Sequence, residues 1–260
     1  MKILVCIKQV PENMEFLHVN SQGTEVIIPV NMKYRMNRFD THAVEAAIAI
    51  KEQIQETVID IITVGPESSI SIVKRAMGMG ADNGFIIPDD SKSYSSPSDI
   101  SSQLASFARD KQYDLILTGI MSEDEMNAQT GQMLAARLGI SSITGIVNIH
   151  LMKDKIYLER EREGGIREFL YSNLNKNQTI LLTIQAGINT PRYPSLSALL
   201  KANNREITIV QSTSSKEKND QSIIQIKKSE KLRQGVHLEG SIEDKARKFI
   251  DMMKERNVLI

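Results

Sequence analysis

Two kinds of run alternate along the first part of the chain. Residues 3–7 (ILVCI), 58–64, 84–88 and 114–118 (DLILT) are short and largely apolar, several of them rich in β-branched side chains. Such runs suit strands buried on both faces of a parallel sheet. Between them the apolar positions fall at helical spacing. Ala43, Ala47 and Ile50, with Val44 and Ile48 beside them, predict a helix capped by Asp40 or Thr41. Gly65-Pro66 turns the chain into a second helix that reaches Met79, with Gly80 expected as a left-handed C-terminal cap. Pro97-Ser98-Asp99 opens a third, placing Ile100, Leu104, Phe107 and Ala108 on one face, and a fourth runs over 129–138 and stops at Gly139. Residues 12–36 carry Gly23 and Pro29 without helical period and predict a long loop or hairpin over the top of the sheet.

The pattern changes after residue 142. Segments 143–152, 156–162 and 166–171 read as antiparallel strands joined by turns, one of them Gly164-Gly165, and the buried run 180–184 (ILLTI) is expected back in the main sheet. Residues 211–240 are rich in Ser, Lys, Glu, Asn and Gln, with Ile223, Ile224 and Ile226 as an apolar island, and read as an extended arm. Ser241 and Asp244 then make a capping-box start for a terminal amphipathic helix striped by Ile242, Ala246, Phe249, Ile250 and Met253. That stripe must dock on the chain's own domain or on a partner subunit. The reading is an α/β fold: a doubly wound, mostly parallel, Rossmann-like sheet with a nucleotide or ligand crevice at its strands' carboxyl ends, an antiparallel hairpin extension and a C-terminal arm ending in a helix. Its divisions are a nucleotide-binding α/β domain over 1–210, an arm or linker over 211–240 and the amphipathic helix over 241–260.

Composition narrows the function classes. The chain has 260 residues, 41% of them hydrophobic, enough for a real core. Lys+Arg and Asp+Glu are both 32, so the basic surplus of a nucleic-acid binder is missing. The single cysteine, Cys6, sits in an apolar run; the expectation is a reducing compartment and an inert, buried thiol. The first apolar stretch is far shorter than the roughly 20 residues that span a bilayer and precedes no cleavage-site pattern, so a cytoplasmic chain without membrane insertion is expected. The Walker phosphate loop, the G-x-G-x-x-G fingerprint and the G-x-S-x-G elbow are absent. His18, His42, His150 and His237 have no partner at metal-ligand spacing, so no metal site is expected, and no catalytic constellation stands out.

One loop does carry a physical signal. It follows DLILT and runs from Gly119 to a helix start at Gln129, Thr130 and Gly131. In a doubly wound sheet this is a strand's carboxyl end, where ligands bind. Amides and dipole at the helix N-terminus favour a phosphate. Asp124 can accept from a ribose hydroxyl or cap the loop, and Gly131 allows a ligand to approach the backbone. An ordinary capped loop has the same signature.

Several segments resemble, in order, the β subunits of electron-transfer flavoproteins: ILVCIKQVP at the start; Met36-Asn37-Arg38-Phe39-Asp40 with AVEAA from Ala43; Gly65-Pro66 and AMGMGAD from Ala76; NAQTGQMLA from Asn127; Glu159-Arg160-Glu161 with Gly164-Gly165; and NTPRYPSL from Asn189, followed by Lys201-Ala202. The resemblance covers roughly the first 210 residues. It implies an electron carrier, not an enzyme, paired with an α subunit that holds most of a redox FAD. It also implies a structural AMP in this chain, or a second FAD in electron-bifurcating members. Carried across, the nucleotide contacts are Cys6, Asn37, Arg38, Phe39, Asp40, Val64, Asp124, Gln129, Thr130 and Gly131, with Phe39 beside the shared flavin. Arg192, Tyr193 and Leu196 belong to the segment that recognises an acyl-CoA dehydrogenase-type or other redox partner, Leu196 as its anchor, and Glu161 faces the α subunit. Without the resemblance, Leu196 reads as a core residue at a helix start. Arg38 stands where the family has Pro, Ile120 and Met121 where a basic residue and Gln are usual, and Met126 where Asp is usual. Thr130-Gly131-Gln132 sides with the AMP class. An adenine-nucleotide-dependent enzyme or sensor is the alternative of a different class.

Overall fold

The computed structural model describes residues 1–89, 95–152, 155–173, 178–211, 223–227 and 235–256. Most of the predicted arm, 211–240, therefore lies outside the described residues. In chain order the elements are β1 (Lys2–Cys6), β2 (Gln9–Pro11), β3 (His18–Val19), β4 (Val26–Ile27), β5 (Tyr34–Met36), α1 (Arg38–Gln53), β6 (Val58–Gly65), α2 (Ile70–Met79), β7 (Asn83–Pro88), α3 (Pro97–Ala108), β8 (Leu115–Gly119), α4 (Thr130–Leu138), β9 (Ser141–Met152), β10 (Lys155–Arg162), β11 (Ile166–Asn173), β12 (Ile180–Ile184), α5 (Leu196–Asn203), β13 (Thr208–Ile209) and α6 (Ile242–Glu255).

Nine strands form one sheet in the order β11-β10-β9-β12-β8-β1-β6-β7-β13. From β9 to β13 every pairing is parallel, whereas β9, β10 and β11 pair antiparallel at the other end. The run 180–184 does return to the sheet, between β8 and β9. Strand β1 shows why the pattern was legible. Ile3 and Val5 pack into the core beneath α1 and α2, while Leu4 and Cys6 pack into the second core with residues of α3 and α4. Both faces of a central strand are thus apolar, and each fully buried side chain of this size contributes about 1.5–3 kcal/mol. The chain leaves β1 toward β6 and β7, then returns to place β8 on the opposite side of β1. That reversal is the topological switch point, and it opens a crevice outside the carboxyl ends of β1 and β8.

Three local expectations change. Helix α1 begins at Arg38 after Asn37, so neither Asp40 nor Thr41 caps it. The Thr41 hydroxyl donates to the Asn37 carbonyl at 3.0 Å, and Asp40 turns inward to other partners. Gly80 ends α2 at φ +139°, outside the left-handed helical region, whereas Gly139 ends α4 in it at φ +68°. Helix α4 starts at Thr130, with Gln129 as its N-cap. The loop predicted over 12–36 is built from a β2–β5 pair and a β3–β4 hairpin. Helix α6 has the predicted capping box from Ser241 and Asp244, yet buries none of its residues; Ile242 is 82% and Phe249 54% exposed. Among the described residues no helix is long and apolar enough to cross a membrane.

Candidate functional site

The crevice at the switch point is a cleft of about 960 Å³. Its floor is the end of β1 with Cys6, Ile7 and Lys8, the end of β8 with Thr118 and Gly119, and Val64, Gly65 and Pro66 after β6. Of the ten residues expected to contact a nucleotide, Cys6, Asn37, Asp40, Val64, Asp124, Gln129, Thr130 and Gly131 line it. Arg38 and Phe39 do not: Arg38 is exposed and Phe39 half-buried.

Asp40 organises the floor. Its carboxylate accepts from the Lys8 amide at 2.7 Å and from the Gly119 amide at 3.0 Å, joining the ends of the two strands that flank the switch point. Burial pushes the Asp40 carboxyl from its ordinary 3.8 up to about 7, although the Lys8 amide, Asn37 and the Gly119 amide pull the other way. Removal from water costs the charged form more than these hydrogen bonds return. Asn37, 1% exposed, ties α1 to the loop after β8: its Nδ2 donates to the Met121 carbonyl at 2.9 Å and its Oδ1 accepts from the Glu123 amide at 3.1 Å. Glu123 adds an ion pair with Arg35 at 2.9 Å and accepts from the Arg38 amide at 3.0 Å.

Lys8 was not expected here from sequence reasoning. Its ammonium lies 2.9 Å from Asp124 and 3.2 Å from Glu125. Among the described residues it is the cleft's single Lys or Arg, against the carboxylates of Glu25, Asp40, Asp89, Asp124 and Glu125. Burial raises the Glu125 carboxyl, with Lys8 opposing and Asp124 reinforcing the rise. The signal for Lys8 was present: a lysine directly after a buried strand emerges at the sheet's carboxyl end. Cys6 is buried, and desolvation with the neighbouring Asp40 charge raises its thiol far above the ordinary range, so it is inert as a nucleophile.

The start of α4 completes the cleft. Gln129 makes no side-chain capping hydrogen bond. A helix's first amides have no intrahelical acceptor, so this end offers donors and a favourable dipole to an anion. Gly131 also has a packing reason. A Cβ there would meet Thr118 Oγ1 and Thr183 Cγ2, each at 2.9 Å, so glycine lets α4 pack close against β8 and β12. Pro97, Ile100 and Leu104 of α3 supply an apolar wall. Among the described residues no group of three or more side chains could hold a metal ion.

The expected partner-recognition segment lies on a different part of α1. Asn189 Nδ2 donates to the His42 carbonyl at 3.0 Å. Arg192 grips Glu45 through its backbone amide at 2.9 Å and its guanidinium at 2.8 and 3.0 Å, and reaches Glu52 at 2.7 Å. Arg192 is thus engaged within the chain, and the groups it presents outward are Tyr193, 87% exposed, and Leu196, 74% exposed. Leu196 is no core residue. Glu161 is exposed on β10, far along the antiparallel end of the sheet.

The family model described as "Electron transfer flavoprotein domain" matches residues 24–215. The chain belongs to the electron-transfer flavoprotein β-subunit family. The electron transfer flavoprotein subunit beta of Megasphaera elsdenii is 31% identical over 214 residues, 80% of this chain and 77% of that one. The mitochondrial subunit beta of Arabidopsis thaliana is 32% identical over 258 residues, 98% of each chain. The caffeyl-CoA reductase-Etf complex subunit CarD of Acetobacterium woodii is 30% identical over 210 residues, 80% of this chain and 78% of that one. Membership of this family assigns the chain an electron-transfer role.

Proposed function

We propose that this chain is the β subunit of a heterodimeric electron-transfer flavoprotein. An FAD shared with an α subunit carries electrons between dehydrogenases and a downstream acceptor, while the switch-point cleft of this chain holds AMP as a structural group. The observation that carries the second half is the cleft's donor set. The uncapped start of α4 suits a phosphate, the carboxylates of Asp40 and Asp124 are acceptors for ribose hydroxyls, and Val64, Ile100 and Leu104 offer apolar surface to a base. With Lys8 already committed to Asp124 and Glu125, the phosphate depends on backbone amides.

The flavin supplies the redox chemistry. This chain positions. Asp40 and Asn37 fix α1 and the 119–131 loop around the nucleotide, and α1 in turn carries the 189–196 segment through Glu45 and Arg192. Tyr193 and Leu196 then face outward toward a redox partner, and Glu161 toward the α subunit. No acid, base or nucleophile is required, which fits a carrier subunit.

The test is expression of this chain alone and together with an α subunit, followed by a visible spectrum of each purified product. A yellow one-to-one complex from co-expression and a colourless single chain support the reading. A colourless product in both cases, or turnover of ATP by the chain alone, contradicts it.

A further inference from the structure

The outer wall of the cleft comes from two segments far apart in sequence. Thr24, Glu25 and Val26 of the β3–β4 hairpin line it, and so do Ile223 and Ile226. The two segments are joined directly: the Ile226 amide donates to the Gly23 carbonyl at 2.6 Å. Gly23 sits at φ +68°, and a Cβ there would lie 3.3 Å from the Ile226 carbonyl oxygen and 3.7 Å from Gln225 Cγ. The hairpin turn is therefore laid backbone against backbone on 223–227. The sequence gives the physical reason for docking at this point. Ile223, Ile224 and Ile226 are the apolar island of a stretch otherwise dominated by Ser, Lys, Glu, Asn and Gln. A polar segment gains little by lying on protein, whereas apolar side chains set against a cleft leave water. Ile226 is half-buried and Ile223 is 38% exposed, while Ile224, at 89%, faces away.

We propose that 223–227 is a strap across the mouth of the cleft that sets the rate at which the bound nucleotide leaves. This rests on the cleft being a nucleotide site. The other walls are the sheet, helices with buried cores, and the 119–128 loop, which Asn37 ties to α1 through two backbone groups and Lys8 ties to β1 through Asp124. The strap and hairpin carry few buried side chains, so they form the wall that can open locally without unfolding the domain. Release then follows the peeling of one short segment, which among the described residues is held by the Ile226–Gly23 backbone bond and by Ile223 and Ile226. Retention is a property of a segment contributed from outside the α/β core.

The experiment uses the complete α–β complex. Its nucleotide is exchanged against excess isotopically labelled AMP, and hydrogen exchange is read at the Ile226 amide. The double variant Ile223→Ser, Ile226→Ser removes the apolar cover. Gly23→Ala disturbs the same contact from the hairpin side and guards against a defect peculiar to the arm. The expected result is a protected Ile226 amide in the unaltered complex, and nucleotide exchange accelerated roughly tenfold or more in each variant that loses this protection. An Ile226 amide that exchanges as fast as a free peptide overturns the strap. So does unchanged nucleotide exchange in a variant that has lost protection. A complex from which denaturation releases FAD but no AMP overturns the reading of the cleft itself, a failure distinct from the other two.

Discussion

Replacing Asn37 with alanine breaks the joint between α1 and the loop that forms one side of the cleft. Its side chain is 1% exposed and makes two hydrogen bonds to backbone more than 80 positions away, to the Met121 carbonyl at 2.9 Å and from the Glu123 amide at 3.1 Å. Each such bond contributes about 1 kcal/mol net, and a buried partner left unsatisfied costs about 1–3 kcal/mol. Water entering from the cleft relieves part of that penalty, so the expected loss is about 2–4 kcal/mol. In urea the unfolding midpoint should fall with the slope unchanged, because the fold and the surface exposed on unfolding stay the same. The same variant should lose nucleotide occupancy, since Asp124 sits on the released loop and Gln129 and Thr130 begin the helix into which it leads. A loss below about 0.5 kcal/mol, the range of ordinary surface substitutions, together with unchanged occupancy, would refute the reasoning.

Asp40 gives a pH dependence with a definite sign: between about pH 4 and pH 7 the folded chain keeps a proton that the unfolded chain has released. Stability of the ligand-free chain should therefore decline across that window, by about 4 kcal/mol in total at 1.36 kcal/mol per pH unit, and denaturation midpoints should show a shallower decline in Asp40→Asn. Arg192→Ala strips the guanidinium from Glu45, whose side chain is 9% exposed, and should cost about 1–3 kcal/mol by thermal or urea unfolding. Leu196→Ala, at a position 74% exposed, should leave stability and flavin content intact while electron transfer from the redox partner is lost; unchanged transfer rules out Leu196 as the anchor. Ile242→Ser with Phe249→Ser on the unburied stripe of α6 should leave the single chain's melting temperature unchanged, because the helix buries none of its residues; a clear fall would show that the stripe packs on this chain's own domain.

The strands were legible because a sheet covered on both faces leaves continuous apolar runs, as in residues 3–7 and 180–184. The helices were legible through periodicity and caps, Ser241 with Asp244 being the plainest case. Asp40 was misread as a cap because an acidic residue near a helix start has that local signature. Its actual acceptor role depends on Lys8 and Gly119, strand ends that only the fold brings together. Lys8 carries no local signal of its role for the same reason: its carboxylate partners are more than a hundred residues away. Gly131 reads locally as room for a ligand, and the fold adds a second demand, because Thr118 and Thr183 stand against it. Arg192 and Tyr193 look alike in sequence, yet one is held by Glu45 while the other presents its ring to solvent with the Arg75 guanidinium over it. Local chemistry marked the neighbourhood of the site, and long-range hydrogen bonds decided each residue's role within it.

The most direct measurement is the nucleotide content of the purified α–β complex. Acid denaturation followed by chromatography should release one AMP and one FAD per heterodimer. Two FAD and no AMP, or one FAD with no second nucleotide, would contradict the assignment of the cleft.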